Sequence, residues 1–242
     1  MRLGIIAAGG KGTRMNSIVP KPLTVLPNGS TFLSTMIERI NPFVDQIAVV
    51  TSLEVLDHPK FKVDSKSAYV TQLQATGMGD AVFCASEMIK NSQEIMVLWC
   101  DQIGITSETI AKACDLHSKV KSNSHMTIPL LSKDTRYIHI DESKGKISKI
   151  LQAKEGDTVP KLSKSDIGLF LFSSGSNLTS AWSDGGREFC RGRQTSEYNF
   201  LPLLAYLSSI GWSAQTIEAN PKDGIGVNTQ EELSNAISEQ NL

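Results

Sequence analysis

The sequence has no excess of positive charge. Its 242 residues include 24 lysines and arginines against 25 aspartates and glutamates, which gives a formal net charge of −1 at pH 7. Proteins that bind nucleic acid through its backbone usually carry a clear cationic excess, because they must displace the counterions of the phosphates. The composition therefore argues against a general nucleic-acid-binding protein. Any site for an anion must be local.

Cysteines and long apolar runs are also scarce. No two of the four cysteines form a CxxC pair, so neither a disulfide framework nor a zinc knuckle is indicated. No stretch approaches the roughly 20 apolar residues that span a membrane. The N-terminal apolar run stops at Gly9, which is too short for the core of a signal peptide. We therefore expect a cytoplasmic protein without a membrane partner.

The histidines do not have the spacing of a metal site. None lies four residues from another, the spacing at which one helix face presents two imidazoles to a metal. No Ser-His-Asp arrangement and no pair of acid/base carboxylates is indicated either. The four histidines are His58, His117, His125 and His139.

Short apolar runs without polar alternation occur at 3–8, 47–50 and 95–100. Such runs are typical of buried parallel strands. Helical periods lie between them, at 30–40 and 80–89. Repetition of strand and helix is the pattern of a doubly wound α/β sheet. With 40% hydrophobic and 20% charged residues, the chain predicts a single globular domain over 1–242.

The pattern changes from Met126 onward to short alternating strands. Residues 133–166 are highly charged but nearly balanced in sign, so we interpret them as a hairpin-rich arm with a solvated face. A core strand at 167–172 follows. We then expect helices near 177–183 and 197–208, and a strand at 213–218. A closing helix is predicted from about Gln230, with Thr229 and Glu232 spaced as a capping box.

The segment "IIAAGGKGTRM", residues 5–15, places three glycines and two cations behind a buried strand. It is not a Walker A motif, because Gly12 follows Lys11 where Ser or Thr belongs. It is not a dinucleotide fingerprint either, because Met15 stands where a third small residue belongs. A glycine loop alone is equally consistent with a structural turn and with a ligand site.

Two cations favour the ligand site. Arg14 is followed by Lys21, which stands between Pro20 and Pro22 and is therefore presented by a restricted backbone. Backbone N–H groups, a guanidinium and an ammonium form a plausible cradle for a triphosphate. We expect Lys21 to be an exposed loop residue that supports charge rather than packing.

The stretches "AAGGKGTRM" and "PKPL" resemble the N-terminal signature of the nucleotidyltransferases that make nucleotide-sugars. The resemblance is closest to the uridylyltransferase domain that acts on N-acetylglucosamine 1-phosphate. It implies a Rossmann-like, mostly parallel mixed sheet with a small hairpin arm. It also implies an enzyme that joins a nucleoside triphosphate, expected to be UTP, to a sugar 1-phosphate or similar phosphate acceptor, with release of pyrophosphate.

The resemblance also assigns residues on the nucleotide side. It implies that Arg14 holds the pyrophosphate and that Lys21 neutralises the α-phosphate. "QLQATGMGDAV" is similar to the segment that reads the base, which makes Gln72 and Gly77 the base-binding residues. Met78 and Asp80 depart from that segment. The remaining implied nucleotide contacts come from the glycine loop, namely Ala8, Gly9, Gly10, Gly12 and Thr13.

A metal site is implied by two further segments. In "LWCDQIGI", Asp101 matches an aspartate that binds magnesium, although Cys100 replaces the usual glycine. In "DGIGVNTQEEL", Asn228 matches the second protein ligand of the same ion. One carboxylate and one amide oxygen suit Mg²⁺, which prefers hard oxygen ligands and takes the remainder from water and phosphate.

The acceptor side matches less well. Gln152 stands where the resemblance calls for a sugar-binding glutamate, and Asp166 where it calls for asparagine. Glu197 is retained, but Pro202 replaces a frequent aspartate. These departures indicate an unusual phosphorylated substrate or a slip in the alignment.

Two alternatives remain open. One is a cytidylyltransferase that acts on a non-sugar phosphate. The other is a non-catalytic nucleotide-binding regulator, which Met78, Cys100 and Gln152 would also fit. A nicotinamide-dependent dehydrogenase would need the missing third glycine.

Overall fold

The structure is a computed structural model that describes residues 1–9, 15, 17–120, 122–134 and 137–240. Four of the implied nucleotide-site residues lie outside the described residues: Gly10, Gly12, Thr13 and Arg14.

The strands of the described chain form an eight-stranded sheet and a two-stranded hairpin. They are β1 (Arg2–Ala8), β2 (Gln46–Thr51), β3 (Ser67–Thr71), β4 (Glu94–Trp99), β5 (His125–Asp134), β6 (Ile138–Ser143), β7 (Lys146–Gln152), β8 (Leu162–Asp166), β9 (Leu169–Ser173) and β10 (Ser213–Glu218).

The α-helices between and after the strands are mostly short. They are α1 (Phe32–Ile40), α2 (Leu53–Leu56), α3 (Met78–Phe83), α4 (Ser86–Lys90), α5 (Ser107–Ser118), α6 (Gly175–Ala181), α7 (Arg187–Phe189), α8 (Pro202–Ser209) and α9 (Gln230–Gln240). A kinked segment, Trp182–Gly186, joins α6 to α7, and Asp184 and Gly185 within it have non-helical backbone angles. In the part of the chain that the structure describes, none of these helices has the length and apolarity needed to cross a membrane.

The large sheet has the order β10-β5-β9-β4-β1-β2-β3, with β8 paired to β5. Strands β1 to β4 are mutually parallel, whereas β9 runs antiparallel to both β4 and β5. The predicted Rossmann-like, mostly parallel mixed sheet is therefore confirmed. After β3 the chain returns to the other side of β1, so the strand order reverses between β1 and β4. Ligands of open α/β sheets bind in the crevice at such a switch point.

Both faces of the sheet are covered, as the doubly wound pattern predicts. Alternate residues of β1 enter opposite cores: Leu3 and Ile5 pack with α3, α4, α6 and α8, whereas Ile6 and Ala8 pack with α1, α5 and α9. Burial of one large aliphatic side chain contributes about 1.5–3 kcal/mol. The two cores fix the strand ends that carry the candidate site.

The hairpin of β6 and β7 lies within the segment 133–166, where the sequence predicts an arm. Its strands pair antiparallel, and Ile140 and Ile147 anchor it in the core beneath. Residues 125–134 and 162–166 belong to the large sheet instead, as β5 and β8.

The helix expected over 197–208 is wrong at its start. The helix α8 begins at Pro202, because the preceding residues are held in other pairings: Tyr198 forms a bridge with Arg191, and Ser196 has a φ of 59°. The strand at 213–218 and the helix from Gln230 are confirmed.

The predicted capping box of α9 is confirmed. Thr229 N donates to Glu232 Oε2 at 3.1 Å, and Glu232 N donates to Thr229 Oγ1 at 3.1 Å. The same carboxylate accepts from Asn228 N. The cap therefore fixes the backbone that carries Asn228.

Two buried histidines form a polar chain at the edge of the sheet where β5 and β10 begin. His117 Nδ1 lies 2.9 Å from Thr127 Oγ1, which lies 3.2 Å from His125 Nε2. His125 Nδ1 lies 2.9 Å from Ser213 Oγ. Burial lowers the pKa of both imidazoles, and it lowers that of His117 to about 4. These histidines are structural and lie far along the strands from the candidate site.

We expect the free energy of unfolding to fall as the pH drops from about 6.5 to about 4. Over this range His117 takes up a proton in the unfolded chain but stays neutral in the folded protein. By linkage, this difference lowers the free energy of unfolding by up to about 3 kcal/mol. Urea denaturation at several pH values measures the slope. His117→Gln should flatten it, whereas His58→Gln, a substitution outside the core, should not. An unchanged slope in His117→Gln would contradict this assignment.

Candidate active site

The candidate site lies at the carboxyl ends of the parallel strands, beside the switch point. Ala8 ends β1 and is paired with Thr51, the last residue of β2. Gln72 directly follows β3, and Asp101 follows β4 by two residues. Side chains that are distant in sequence therefore share one edge of the sheet.

Lys21 is the centre of this edge. It begins a 3₁₀ turn, Lys21–Leu23, that is entered through Pro20. Its Nζ donates to Asp101 Oδ2 at 2.6 Å and to Asn228 Oδ1 at 2.9 Å. The lysine side chain is only 13% exposed, so the expectation of an exposed loop lysine is wrong. The ammonium is held by two oxygens in a partly desolvated position.

The segment 220–228 is fastened beside Asp101 by main-chain hydrogen bonds. Val227 N donates to Asp101 O, and Gly104 N donates to Ile225 O, both at 3.0 Å. A Cβ on Gly104 would collide with Lys222 O, so a glycine is needed for this approach.

A buried carboxylate holds the other end of that segment. Asp223 is fully buried and accepts hydrogen bonds from Thr106 N, Thr109 Oγ1 and Asn220 N, at 2.6–2.8 Å. It therefore ties the segment to the start of α5. Asp223 could not be predicted from the sequence, because a single aspartate near a proline carries no distinctive signal.

The chemistry of Asp101 and Asn228 fits a magnesium ion. One carboxylate oxygen and one amide oxygen converge on a single cationic group, the ammonium of Lys21. Hard oxygen ligands are those that Mg²⁺ prefers, and few protein ligands are typical where phosphate and water complete the shell. Within the described ranges, no group of three or more His, Cys, Asp or Glu side chains has the geometry of a metal site.

Cys100, which stands before Asp101, is buried in the core beside β4 rather than in the crevice. Burial raises the pKa of its thiol, and the neighbouring carboxylate of Asp101 adds to the effect. The Cys100 thiol is therefore uncharged at neutral pH and packs as a core side chain.

The base-side residues are also brought together. Gln72 Nε2 donates to Gly77 O at 3.3 Å, and Gln72 N donates to Thr51 O at 2.8 Å. A Cβ on Gly9 would lie 2.9 Å from Gln72 Oε1. Gln72, Gly77 and the end of β1 thus form one continuous surface.

Gly77 is constrained by a neighbour that the sequence did not reveal. Its φ is 126°, and a Cβ there would lie 2.5 Å from Tyr198 O. The glycine is therefore needed for packing against the main chain of Tyr198. This requirement is compatible with a base contact through the backbone of Gly77.

A cavity of about 460 Å³ adjoins Gln72. Its wall combines the loop that follows β3 with one side of α3 and with the segment 182–187. The lining residues are Gln72, Leu73, Gln74, Thr76, Asp80, Phe83, Cys84, Trp182 and Arg187.

The predicted acceptor residues have separate partners. Gln152 and Asp166 are buried; Gln152 N donates to Asp157, and Asp166 Oδ2 accepts from Gly168 N. Glu197 is about half exposed and accepts a hydrogen bond from Lys154 Nζ at 3.2 Å.

Glu155 is a further buried acid on this side. Its carboxylate accepts hydrogen bonds from Thr195 Oγ1 at 2.6 Å, Gln194 N at 2.9 Å and Asn199 Nδ2 at 3.0 Å. Burial alone would raise the pKa of Glu155, but the hydrogen bonds outweigh burial and lower the pKa to about 2. Glu155 therefore fixes residues 190–199 through its charge. We call this segment the acceptor loop because it carries Glu197, a predicted acceptor residue.

Polar side chains gathered at the switch point of a mixed α/β sheet mark the crevice in which such folds bind their ligands. The chain belongs to the MobA-like NTP transferase domain family, whose profile matches residues 4–154. By family it contains an NTP transferase domain.

Individual relatives share only about a quarter of their aligned residues with this chain. The bifunctional protein GlmU of Lactococcus lactis subsp. cremoris is 26% identical over 97% of this chain and 51% of its own length. GlmU of Clostridium novyi is 25% identical over 96% of this chain and 50% of its own length. The chain thus spans about half the length of these curated relatives.

A solved structure supports the fold. A Bacillus anthracis protein assigned as a glucose-1-phosphate thymidylyltransferase, in complex with sucrose, superposes with a TM-score of 0.73. It is 19% identical, and the match covers 99% of this chain and 95% of that one. The predicted fold class is thereby confirmed. The predicted resemblance to nucleotide-sugar enzymes is confirmed by the family match and by the GlmU relatives.

Gly104→Ala should weaken binding of a divalent ion. The added methyl group must push the segment 220–228 away from Asp101, and displacement of such supporting groups typically costs about 10–100-fold in metal affinity. Binding of Mn²⁺ followed by electron paramagnetic resonance measures the affinity.

Gly211→Ala is the matched control for this variant. Gly211 has a φ of 99° with open space beside it, at the opposite edge of the sheet. Its substitution should lower the melting temperature through backbone strain without changing the affinity for Mn²⁺. Equal affinity in both variants would show that Asn228 is not held in place through Gly104.

Proposed function

We propose that the protein transfers a nucleotidyl group from UTP to a sugar 1-phosphate or a similar phosphate acceptor and releases pyrophosphate. An acceptor phosphate oxygen attacks the α-phosphorus in line with the leaving pyrophosphate. Such chemistry requires positioning and neutralisation of charge rather than covalent participation of the protein.

The observation that carries the proposal is the meeting of Lys21, Asp101 and Asn228. Contacts of 2.6 and 2.9 Å join a lysine near residue 20 to oxygens 80 and 207 residues later. The three side chains stand beside the end of β1, from which the glycine loop continues. This arrangement supports a site in which cations and a phosphate chain meet.

In this proposal, Lys21 neutralises the charge that develops on the α-phosphate. Arg14 holds the pyrophosphate, and Gln72 with the backbone of Gly77 holds the base. Ala8 and Gly9 contribute main-chain contacts beside the ribose and phosphates, together with Gly10, Gly12 and Thr13.

Asp101 and Asn228 would hold a Mg²⁺ ion, which when bound would neutralise phosphate oxygens and help to align them. Both oxygens accept hydrogen bonds from the Lys21 ammonium. An ion held by Asp101 and Asn228 would compete with the lysine for them and would favour Lys21 turned toward the nucleotide. The pairing with Lys21 compensates the carboxylate of Asp101, as a partly buried charge requires.

In this proposal the acceptor binds on the side of Gln152, Asp166 and Glu197. The first two are buried and polar, and Glu197 lies on the loop that Glu155 holds. We propose a small phosphorylated acceptor with hydroxyl groups, since an amide and two carboxylates can accept hydrogen bonds from them.

A substrate panel tests the function directly. UTP, CTP, dTTP and GTP are each offered with Mg²⁺ and a set of sugar 1-phosphates and non-sugar phosphates, and pyrophosphate release is measured. UTP with a sugar 1-phosphate is the expected pair. Turnover only of CTP with a non-sugar phosphate would favour the cytidylyltransferase. Nucleotide binding without pyrophosphate under any acceptor would favour a regulator.

Lys21→Met should lower turnover by about 10²–10³-fold, because it removes a preorganised positive charge from the transition state. Pyrophosphate release at saturating substrate measures kcat. Lys222→Met is the control, since Lys222 is exposed and lies on the segment that carries Asn228. Near wild-type turnover in Lys21→Met would remove the lysine from the mechanism.

Asp101→Asn should raise the Mg²⁺ concentration for half-maximal rate at least about tenfold, because a charged ligand becomes a neutral one. A magnesium titration of the initial rate measures it. Asp115→Asn is the control, since Asp115 pairs with Lys119 on exposed helix surface. A magnesium titration of Asp101→Asn that coincides with the wild-type curve would place the ion elsewhere.

A further inference from the structure

Arg187 connects the two halves of the candidate site. Its Nε donates to Asp80 Oδ1 at 2.8 Å and its Nη2 to Asp80 Oδ2 at 2.9 Å. The guanidinium also lies over the ring of Tyr198, with its carbon 3.5 Å from the ring centroid. A two-pronged ion pair and a cation–π contact are both geometrically specific.

Two of the residues that Arg187 contacts, Asp80 and Tyr198, lie on segments that the proposed function assigns to different substrates. Asp80 lies in the first turn of α3, directly after the base loop, residues 72–79, which carries Gln72 and Gly77. Tyr198 directly follows Glu197 on the acceptor loop. One guanidinium therefore restrains the end of the base loop and the aromatic residue of the acceptor loop together.

The two loops also pair through their main chains beneath the guanidinium. Tyr198 N donates to Thr76 O, and Gly79 N donates to Tyr198 O, both at 2.8 Å. The close approach of Gly77 to Tyr198 leaves no space for a side chain. A shift of Tyr198 must therefore move the backbone that is proposed to hold the base.

The ion pair between Arg187 and Asp80 is shielded from solvent mainly on the side of Asp80. The Asp80 side chain is 15% exposed, and that of Arg187 is 40% exposed. Hydrogen bonding to Asp80 raises the pKa of Arg187, so the guanidinium keeps its charge. Asp80 and Arg187 also line the cavity that adjoins Gln72.

We propose that Arg187 is a positioning residue for both substrates, which it aligns by fixing the base loop against the acceptor loop through Asp80 and Tyr198. This inference rests on the proposed function, because it assigns the two loops to nucleotide and acceptor. Asp80 is a departure from the nucleotide-sugar signature, and the pairing with Arg187 gives it a role. Neither residue has to touch a substrate.

The test is Arg187→Gln, which keeps a polar side chain but removes the positive charge and the two parallel hydrogen bonds to Asp80. The dissociation constant of UTP, measured by calorimetry, and the KM of the acceptor should each rise about tenfold, since small misplacements of binding groups are costly. The kcat at saturation should change less than about threefold, because the groups proposed to stabilise the transition state are left in place.

Asp80→Asn is the second variant, and it keeps Arg187 in place should Arg187→Gln fold poorly. The double variant should be no worse than either single one, because both substitutions break the same pair. Arg187→Lys should recover only part of the affinity, since an ammonium cannot make the two-pronged contact.

Arg2→Gln is the matched control. Arg2 makes an equally close pair with Glu94, at 2.6–2.8 Å, at the opposite edge of the sheet. Its loss should lower the melting temperature but leave both substrate affinities unchanged. A merely structural Arg187 would behave in the same way.

The outcomes separate this inference from the proposed function. If the wild-type protein binds UTP and Arg187→Gln and Asp80→Asn bind it equally well, the positioning role is overturned and the function stands. If the wild-type protein binds none of UTP, CTP, dTTP and GTP, the proposed function and the inference fall together. If nucleotide binds but no acceptor reacts, a tenfold loss of UTP affinity still supports the role of Arg187 toward the base loop.

Discussion

The organisation of the candidate site depends on the contact of the Lys21 ammonium with Asp101 and Asn228. These residues come from an early turn, from the end of a central strand and from the segment before the last helix. Without the lysine, a partly buried carboxylate would lack compensation, which is costly. Without the two oxygens, the lysine would have no fixed place. The contact therefore forms only when these three distant parts of the chain are folded together.

The sheet makes this contact possible. The order reverses between β1 and β4, so the crevice opens where the glycine loop leaves one strand and Asp101 leaves the other. Buried polar groups then fix the surrounding segments: Asp223 holds the chain before Asn228, and Glu155 holds the acceptor loop. Both carboxylates are satisfied by several hydrogen bonds, as buried charges must be. The two cores fix the ends of the strands, and Asp223 and Glu155 fix the segments that lie beside those ends.

The sequence allowed much of this to be predicted, for physical reasons. Uninterrupted apolar runs identify buried parallel strands. The alternation of polar and apolar residues predicts β10, and the spacing of Thr229 and Glu232 predicts the cap of α9. The roles of Lys21, Asp101 and Asn228 came from resemblance, and the structure brings the three together. Arg187 and Glu155 could not be predicted, because their roles depend on contacts with residues far along the chain. The start of α8 was misplaced because the pairing of Tyr198 with Arg191 and Thr76, a tertiary effect, overrides local helical periodicity.

One crystallographic measurement tests the central claim most directly. The protein is crystallised with a UTP analogue that cannot be cleaved between the α- and β-phosphates and with Mn²⁺ in place of Mg²⁺. The anomalous signal then locates the ion without reference to any model of the site. The account predicts a peak in contact with oxygens of Asp101 and Asn228, with Lys21 turned toward the α-phosphate. A peak elsewhere, with Lys21 still bonded to both oxygens, would contradict it.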